Sequence, residues 1–278
     1  MNNIESYILN GSRVWRGHLT KIGGQRLDSP APFFIRPLNH NDAAAMGKLS
    51  NDIYRHLNRG EECFIHQHTP AYYHQVFANP DISYIGIFRG EQLIAMSNLT
   101  LCRTPRDFAA EIPASPVNFF DRPGTLIAAF GADCVKPEYR GNSLNLIMTA
   151  CRLDLAREKG CTDAASIIDR RNHWNMPPYF SNGFNMFATG IDPADGGKIA
   201  LMHHDLHQPR PAQSQPGINI PYDRFDIIDR LLEKGYTGRE YNRQSSGITF
   251  TFSPEYQRRR QALPQMAVWI RTKGVAHV

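Results

Sequence analysis

One stretch near the middle of the chain constrains the fold more than any other. A nearly continuous apolar run over residues 125–135 leads through a basic turn into a helical pattern over residues 143–159. Such an apolar run is typical of a central strand that is buried on both faces. The helical pattern places apolar residues on one side, predicts that Arg152 faces outward, and ends at Gly160, a usual residue just after a helix. The fold therefore contains a buried strand that leads directly into an amphipathic helix.

Further elements are predicted on both sides of this unit. Helices are expected at residues 42–57, 71–77, 177–182 and 222–234, and strands at residues 33–35, 83–89, 92–101, 162–168, 185–190, 199–205 and 248–252. Residues 103–124 contain four prolines and predict a loop. This order indicates an α+β fold with a mixed sheet.

Composition divides the chain into four predicted segments. Residues 1–32 are polar and read as an N-terminal extension, and residues 33–207 form the main domain. Residues 208–220 are rich in proline and glutamine and predict a linker, which leaves residues 221–278 as a C-terminal appendage.

Charge and cysteine content narrow the class of protein. The net charge of +5 is compatible with nucleic acid, an acidic membrane or a polyanionic small ligand. Nothing like a reading helix or an aromatic platform supports nucleic acid, and no apolar stretch approaches the ~18 residues of a membrane span. The N-terminus lacks the pattern of a signal peptide, and the five cysteines show no CxxC spacing. We therefore expect a cytoplasmic protein in a reducing compartment.

The turn between the central strand and the helix has the chemistry of an anion site. It reads Cys134-Val135-Lys136-Pro137-Glu138-Tyr139-Arg140-Gly141-Asn142-Ser143-Leu144-Asn145. A strand that ends in a glycine-containing turn before a helix aims backbone N–H groups and the positive end of the helix dipole at one point, which suits a pyrophosphate. Arg140 can add a charge-assisted contact. A plain connection between two elements is the alternative interpretation.

Two patterns resemble a known family. Val135-x-Pro137-x-Tyr139-Arg140-Gly141 is similar to the signature of GNAT-type N-acetyltransferases, whose acyl-CoA motif, Arg/Gln-x-x-Gly-x-Gly/Ala, starts here at Arg140. Downstream, Asn172, Tyr179 and Gly183-Phe184 match the family's Asn-x6-Tyr-x3-Gly-Phe pattern. The resemblance covers roughly residues 33–207 and implies a GNAT-like, mostly antiparallel central sheet flanked by helices.

The chain also departs from the family pattern. Ser143 and Asn145 replace the two motif glycines, as in atypical members, and Ser143 is expected to cap the helix instead. The donor implied is acetyl-CoA or another acyl-CoA, with an acyl-carrier protein as the alternative. The residues implied to hold it are Cys134, Val135, Arg140, Gly141, Asn142, Ser143, Leu144, Asn145 and Asn172.

The resemblance implies direct acyl transfer to an amine. In the family two central strands splay apart, and the pantetheine arm pairs with the edge of the first, here residues 133–135. The Val135 N–H would polarise the thioester carbonyl, and Tyr179 would protonate the departing thiolate. For the general base, Asp133 is the first candidate and His173 or an ordered water the others; Asp133 is otherwise a buried structural residue.

Other functions and sites remain as alternatives. A non-catalytic acyl-CoA-binding or regulatory protein on a degenerate GNAT fold would also explain Ser143 and Asn145. His66-x-His68 and His203-His204 lack a third ligand nearby, so we expect no metal. The aromatic residues Tyr72, Tyr73, Phe77, Phe119 and Phe120 either line an acceptor pocket or pack in the core. The appendage either covers the acceptor site or forms a homodimer interface.

Overall fold

The computed structural model describes residues 4–9, 12–58, 61, 67–112, 119–121, 123–192, 195–207, 217–245 and 247–254. The helices are α1 (Ala43–Tyr54), α2 (Pro70–Val76), α3 (Pro105–Glu111), α4 (Leu144–Glu158), α5 (Met176–Ser181) and α6 (Phe225–Glu233). The strands are β1 (Glu5–Leu9), β2 (Ser12–Ile22), β3 (Gln25–Pro37), β4 (Ile82–Arg89), β5 (Gln92–Cys102), β6 (Ile127–Val135), β7 (Asp163–Asp169), β8 (Asn185–Ile191), β9 (Lys198–Asp205), β10 (Ile218–Pro221), β11 (Thr237–Gln244) and β12 (Gly247–Ser253).

All described strands belong to one sheet, in the order β1-β2-β3-β4-β5-β6-β7-β9-β8-β11-β12-β10. Every described neighbour pair is antiparallel except β6–β7, which is parallel. The α+β class with a mixed, mostly antiparallel sheet is therefore confirmed. The predicted extension and appendage lengthen this sheet at its two edges, and the boundary placed at residue 33 falls inside β3.

Helices cover both faces of the sheet, and each face has its own core. Helices α4, α5 and α6 pack on one face, where α4 inserts Leu144, Ile147, Met148 and Cys151 between buried side chains of β2–β5. Helices α1, α2 and α3 pack on the other face. Fully burying a side chain of this size contributes about 1.5–3 kcal/mol, so α4 is held mainly by this packing.

None of the helices in the described part of the chain has the length and apolar character needed to span a membrane.

The prediction of a loop over residues 103–124 is wrong in part. Helix α3 occupies its first half, and a 3-10 turn spans Phe119–Asp121. The helix begins with a capping box, in which Thr104 and Asp107 bind each other's backbone N–H, and Pro105 stands at the first helical position. Proline is favoured there because its missing N–H would have no helical partner. Proline at this position starts a helix rather than interrupting one.

The N-terminal hairpin β2–β3 is fastened to the turn before α4 by one side chain. Asn142 is 3% exposed. Its Oδ1 accepts from the backbone N–H groups of Thr20 and Lys21, at 2.9 and 3.1 Å. Its Nδ2 donates to the carbonyls of Lys21 and Tyr139, at 2.8 and 2.9 Å. The predicted extension therefore holds the anion-site turn in place.

We predict that Asn142→Ala lowers the free energy of unfolding by about 3 kcal/mol, because it leaves several buried backbone groups without partners. Urea denaturation measures the change. Asn41→Ala, at an exposed position, serves as the control and should change stability by less than about 0.5 kcal/mol. Equal stability of the two variants would show that the hairpin is held by other contacts.

Candidate active site

Strands β6 and β7 separate part-way along their length. Their parallel pairing ends at Phe130 and Ser166, although β6 continues to Val135 and β7 to Asp169. Beyond that point β6 remains paired with β5 on its other side. The edge of β6 toward β7 therefore has no strand partner. This is the splaying of two central strands that the family resemblance implies.

A β-bulge accompanies the separation. Opposite the single residue Asn98 of β5, strand β6 has two residues, Gly131 and Ala132, and an extra residue of this kind bends the bulged strand. Gly131 permits the close approach of Asn98, because a Cβ at Gly131 would lie 2.4 Å from Asn98 Oδ1. Arg152 of α4 donates to the carbonyls of Asn98 and Gly131, at 3.1 and 3.4 Å. The bulge is thus fixed by a buried cation.

The amide of Val135 faces the gap between the strands. The N–H of the next residue, Lys136, donates to the carbonyl of Ile94 in β5 at 3.0 Å. Successive N–H groups of a strand point to opposite edges, so the Val135 N–H points away from β5 and toward the gap. The same alternation turns the Asp133 N–H to the gap. Ala132 is exposed, so this edge is open to solvent.

The turn after β6 presents unused N–H groups at the start of α4. Gly141 and Ser143 have φ of 77° and 58°, and Ser143 is the sole described non-glycine residue with positive φ. Within the described part of the chain, the N–H groups of residues 141–146 donate to no protein acceptor. Because the positive end of the helix dipole lies at the same place, the turn suits an anion. The expected side-chain cap is wrong, since the Ser143 hydroxyl makes no cap hydrogen bond.

Two cations lie beside this turn. Arg140 is exposed, and its Nε donates to the carbonyl of Val135 at 3.3 Å, at the mouth of the gap. Lys21 comes from the N-terminal hairpin, and its Nζ would lie 2.6 Å from a Cβ on Gly141. Arg140 was predicted from the sequence, whereas Lys21 could not be, because only the folded hairpin brings it to the turn.

Asp133 and Arg152 form an ion pair in the interior. Nη2 of Arg152 lies 2.7 Å from Oδ1 of Asp133, and the two side chains are 0% and 1% exposed. The prediction that Arg152 faces outward is therefore wrong: the guanidinium points inward because a buried carboxylate requires a partner. Asn145, Thr149 and Arg152 follow each other at i, i+4 and i+7, so they form a polar stripe on α4. That stripe was the available sequence signal for a buried polar site.

The Tyr179 hydroxyl joins this pair. It donates to Asp133 Oδ2 at 3.1 Å and lies 3.2 Å from Ser166 Oγ. The structure thus brings the two predicted catalytic residues into contact at the point where β6 leaves β7. Burial, and after it the charge of Asp133, raise the pKa of Tyr179 to about 12. At neutral pH the hydroxyl is therefore a proton donor, and a tyrosinate formed there would lie beside Arg152.

Two further predicted residues lie around the mouth of the gap. The side-chain amide of Asn145 lies 3.2 Å from both carboxylate oxygens of Asp133 when its nitrogen faces them, and it also contacts the side chain of Asn175. Asn172 follows β7, where its N–H donates to the carbonyl of Asp169 at 2.9 Å. Because β6 and β7 are parallel, Asn172 lies at the same end of the sheet as the turn before α4.

Cys134 and His173 lie in different surroundings. Cys134 is buried with the residues of α1 and α2 on the face opposite Arg152. Burial raises its thiol pKa to about 12, so it remains a thiol at neutral pH. The ring of His173 lies 4.5 Å from that of Tyr222, and the Tyr241 hydroxyl lies 3.5 Å from its Nδ1. His173 therefore contacts the C-terminal appendage, and burial lowers its pKa.

The histidines considered for a metal have other partners. His203 Nε2 lies 2.8 Å from Asp163 Oδ1 in the interior, and His204 Nδ1 lies 2.9 Å from the carbonyl of Gly183. His66 lies outside the described residues. Among the residues that the structure describes, no group of three or more His, Cys, Asp or Glu side chains could hold a metal ion.

Similar solved structures are acetyltransferases or contain acetyl-CoA. An N-acetyltransferase from Staphylococcus aureus Mu50 is 14% identical, with a TM-score of 0.49 over 63% of this chain and 99% of that chain. The Salmonella typhimurium protein yncA, solved with its cofactor acetyl-CoA, is 14% identical, with a TM-score of 0.46 over 66% and 99%. A GNAT-family acetyltransferase from Streptococcus pneumoniae is 13% identical, with a TM-score of 0.46 over 62% and 99%. No protein-family model and no curated protein matches the sequence.

We predict that Arg152→Met lowers the free energy of unfolding by about 3–5 kcal/mol, because it leaves the Asp133 carboxylate buried without a cation. Adding Asp133→Asn should recover a large part of this loss, which urea denaturation of both variants would measure. Arg157→Met is the control on the same helix, because the Arg157 side chain is 47% exposed and its exposed ion pair is worth less than about 1 kcal/mol. A double variant as unstable as Arg152→Met would contradict this account of the pair.

Proposed function

We propose that this chain is an N-acyltransferase that transfers an acetyl or longer acyl group from acyl-CoA directly to an amine. The observation that carries the proposal is the unpaired edge of β6, which leads into a turn of unused N–H groups at the start of α4. An extended ligand with amide groups can pair with an open strand edge as a further strand would. A pyrophosphate at the end of that ligand would meet the N–H groups of residues 141–146, Arg140 and Lys21. Acyl-CoA combines these two parts.

The residues of the gap support direct transfer. As the amine attacks the thioester carbon, a C–N bond forms, the C–S bond breaks and negative charge develops on the carbonyl oxygen. The Val135 N–H faces the gap and would stabilise that charge. Tyr179 would protonate the departing sulfur, and Arg152 would stabilise the resulting tyrosinate. A protonated Cys134 thiol on the other face gives no support for an acyl-enzyme intermediate.

We further propose that Asp133 positions Tyr179 rather than accepting the proton of the amine. Its Oδ1 binds Arg152 and its Oδ2 accepts from Tyr179, and the carboxylate is 1% exposed. A general base must reach the amine directly or through one water, and these contacts leave Asp133 little room for that role. Another group or a water molecule would then accept the proton of the amine.

A second candidate function is non-catalytic binding of acyl-CoA. The side chains of Ser143 and Asn145 favour it, because they stand where the family motif has glycines. Asn145 contacts Asp133 and Asn175 at the start of α4. Saturable binding of acyl-CoA without turnover toward any amine would distinguish this function from the first.

We predict saturable calorimetric binding of acetyl-CoA and loss of most of the affinity with acetyl-pantetheine, which lacks the pyrophosphate. Arg140→Ala should weaken acetyl-CoA binding about tenfold, equivalent to about 1.4 kcal/mol, because a charge-assisted contact is lost. Arg157→Ala, toward the other end of α4, should leave the affinity unchanged. Equal binding of both ligands would exclude the turn as the pyrophosphate site, and longer acyl-CoAs in the same titration would identify the acyl chain that the gap prefers.

We predict that Tyr179→Phe lowers kcat by about 100-fold or more through loss of the general acid, with the Kd for acetyl-CoA within about threefold of the wild type. Because the pKa of Tyr179 is about 12, the hydroxyl stays protonated below that value, so raising the pH from 7 to 10 should cause no Tyr179-linked loss of kcat. Release of the CoA thiol measures turnover. Unchanged kcat in the variant would remove Tyr179 from this role.

A further inference from the structure

The face of the sheet opposite Tyr179 and Arg152 carries a second polar cluster. Along β5, side chains alternate between the faces: Leu99 packs on the α4–α6 side, whereas Met96 and Cys102 pack with α1, α2 and α3. Asn98 and Thr100 therefore share the second face. The members of this cluster, called the second cluster below, are Tyr72 of α2, Tyr84 of β4, Asn98 and Thr100 of β5, and Glu111 of α3.

The members of the second cluster are neighbours of one another. The Glu111 carboxylate lies near the Thr100 hydroxyl, and the Tyr72 hydroxyl lies near that of Tyr84. Tyr84 stands directly opposite Asn98 in the β4–β5 ladder. Burial, and after it the nearby charge of Glu111, raises the pKa of Tyr72, so the carboxylate on α3 lies near the phenol on α2.

The second cluster reaches the gap between β6 and β7 through Asn98. The side-chain amide of Asn98 lies against Gly131, at the bulge where the edge of β6 opens. Its Oδ1 is buried and has no hydrogen-bond partner among the described residues. Buried polar atoms are nearly always hydrogen-bonded, so this acceptor is available to a donor of a molecule bound beside it.

Glu111 supplies the carboxylate of the second cluster. It is half-buried, and no described Lys, Arg or His forms an ion pair with it. The titratable groups near it include Tyr72 from α2 and Cys102 from β5, and burial makes both of them harder to ionise. A carboxylate without a cation, near a tyrosine side chain, is complementary to an ammonium group.

We propose that the second cluster is the acceptor site, in which Glu111 binds the amine as its ammonium form and takes its proton, and that the acceptors are primary amines without a carboxylate next to the amino group. This inference rests on the proposed acyltransferase function. The substrate class follows from charge, because the α-carboxylate of a free amino acid would be brought close to Glu111 and repelled. Burial raises the pKa of Glu111, which makes it a stronger base than an exposed glutamate.

The proton balance of the transfer is complete with these groups. The ammonium gives one proton to Glu111, which returns it to water, and the neutral amine then attacks the thioester carbon. The electron pair of the broken C–S bond leaves with sulfur, which receives a proton from Tyr179. The amide nitrogen loses a second proton to water, and Tyr179 regains one from water, so one proton is released per turnover.

The test compares amines with the matching amino acids, using the full chain at saturating acetyl-CoA and release of the CoA thiol as the readout. The pairs are phenethylamine and phenylalanine, isobutylamine and valine, and ethanolamine and serine. We expect the wild type to acetylate the amine of at least one pair about tenfold faster than the amino acid.

Glu111→Gln should lower kcat/KM for that amine by about 100-fold, with unchanged Kd for acetyl-CoA, and Glu111→Asp should retain part of the activity. Glu91→Gln, on the exposed β4–β5 turn, is the matched control.

The outcomes separate this proposal from the proposed function. Two outcomes would overturn the acceptor site while leaving the acyltransferase function intact. One is acetyl-CoA binding and turnover that do not change in Glu111→Gln, and the other is faster acetylation of the amino acids than of the amines. Acetyl-CoA binding without acetylation of any of these compounds would overturn the proposed acceptor class. Absence of acetyl-CoA binding would overturn the function on which the inference rests. Thermal unfolding of each variant shows whether a loss of activity reflects loss of the fold.

Discussion

The side chains of Asp133 and Arg152 meet in the interior where β6 leaves β7, and the arrangement of the site depends on that contact. The same guanidinium binds the two carbonyls at the bulge and lies 4.4 Å from the ring of Phe130. One cation therefore compensates a buried carboxylate and fixes the bend of β6. It also packs against Phe130, the last residue of β6 that pairs with β7. A hydrophobic pair could be equally stable, but it could not hold the Tyr179 hydroxyl by a hydrogen bond.

Much of the main domain could be predicted because its signals are local. The hairpin β4–β5 and the helix α4 follow from turn chemistry and from apolar spacing, and the structure confirms both. The strands that were missed are mostly those with weak local signals: β1 is exposed along its whole length, and β11 is rich in polar residues. Their formation depends on pairing with strands that are already in place, which a local pattern does not contain.

The site was predictable to the extent that its chemistry resides in contiguous residues. The turn at residues 140–145 was predicted from its own residues, Tyr179 from a motif of the family that the sequence resembles, and Asp133 from its place two residues before Val135. Arg152 was misplaced because spacing alone distinguishes apolar from polar faces and does not reveal a buried charge that has a partner on another element. Lys21 reaches the turn before α4 from a segment distant in sequence, so only the assembled sheet shows it.

The open edge of β6 lies inside the sheet rather than at its border, and this location has a consequence for aggregation. Unpaired strand edges at the border of a sheet invite pairing with other protein molecules, and proteins usually protect them. Here β7 continues alongside the open edge, and the sheet's own borders lie several strands away. A polypeptide with side chains would have to force two strands further apart to pair with β6, whereas a slender unbranched ligand would not. The chain can thus keep main-chain groups available for binding without exposing them to self-association.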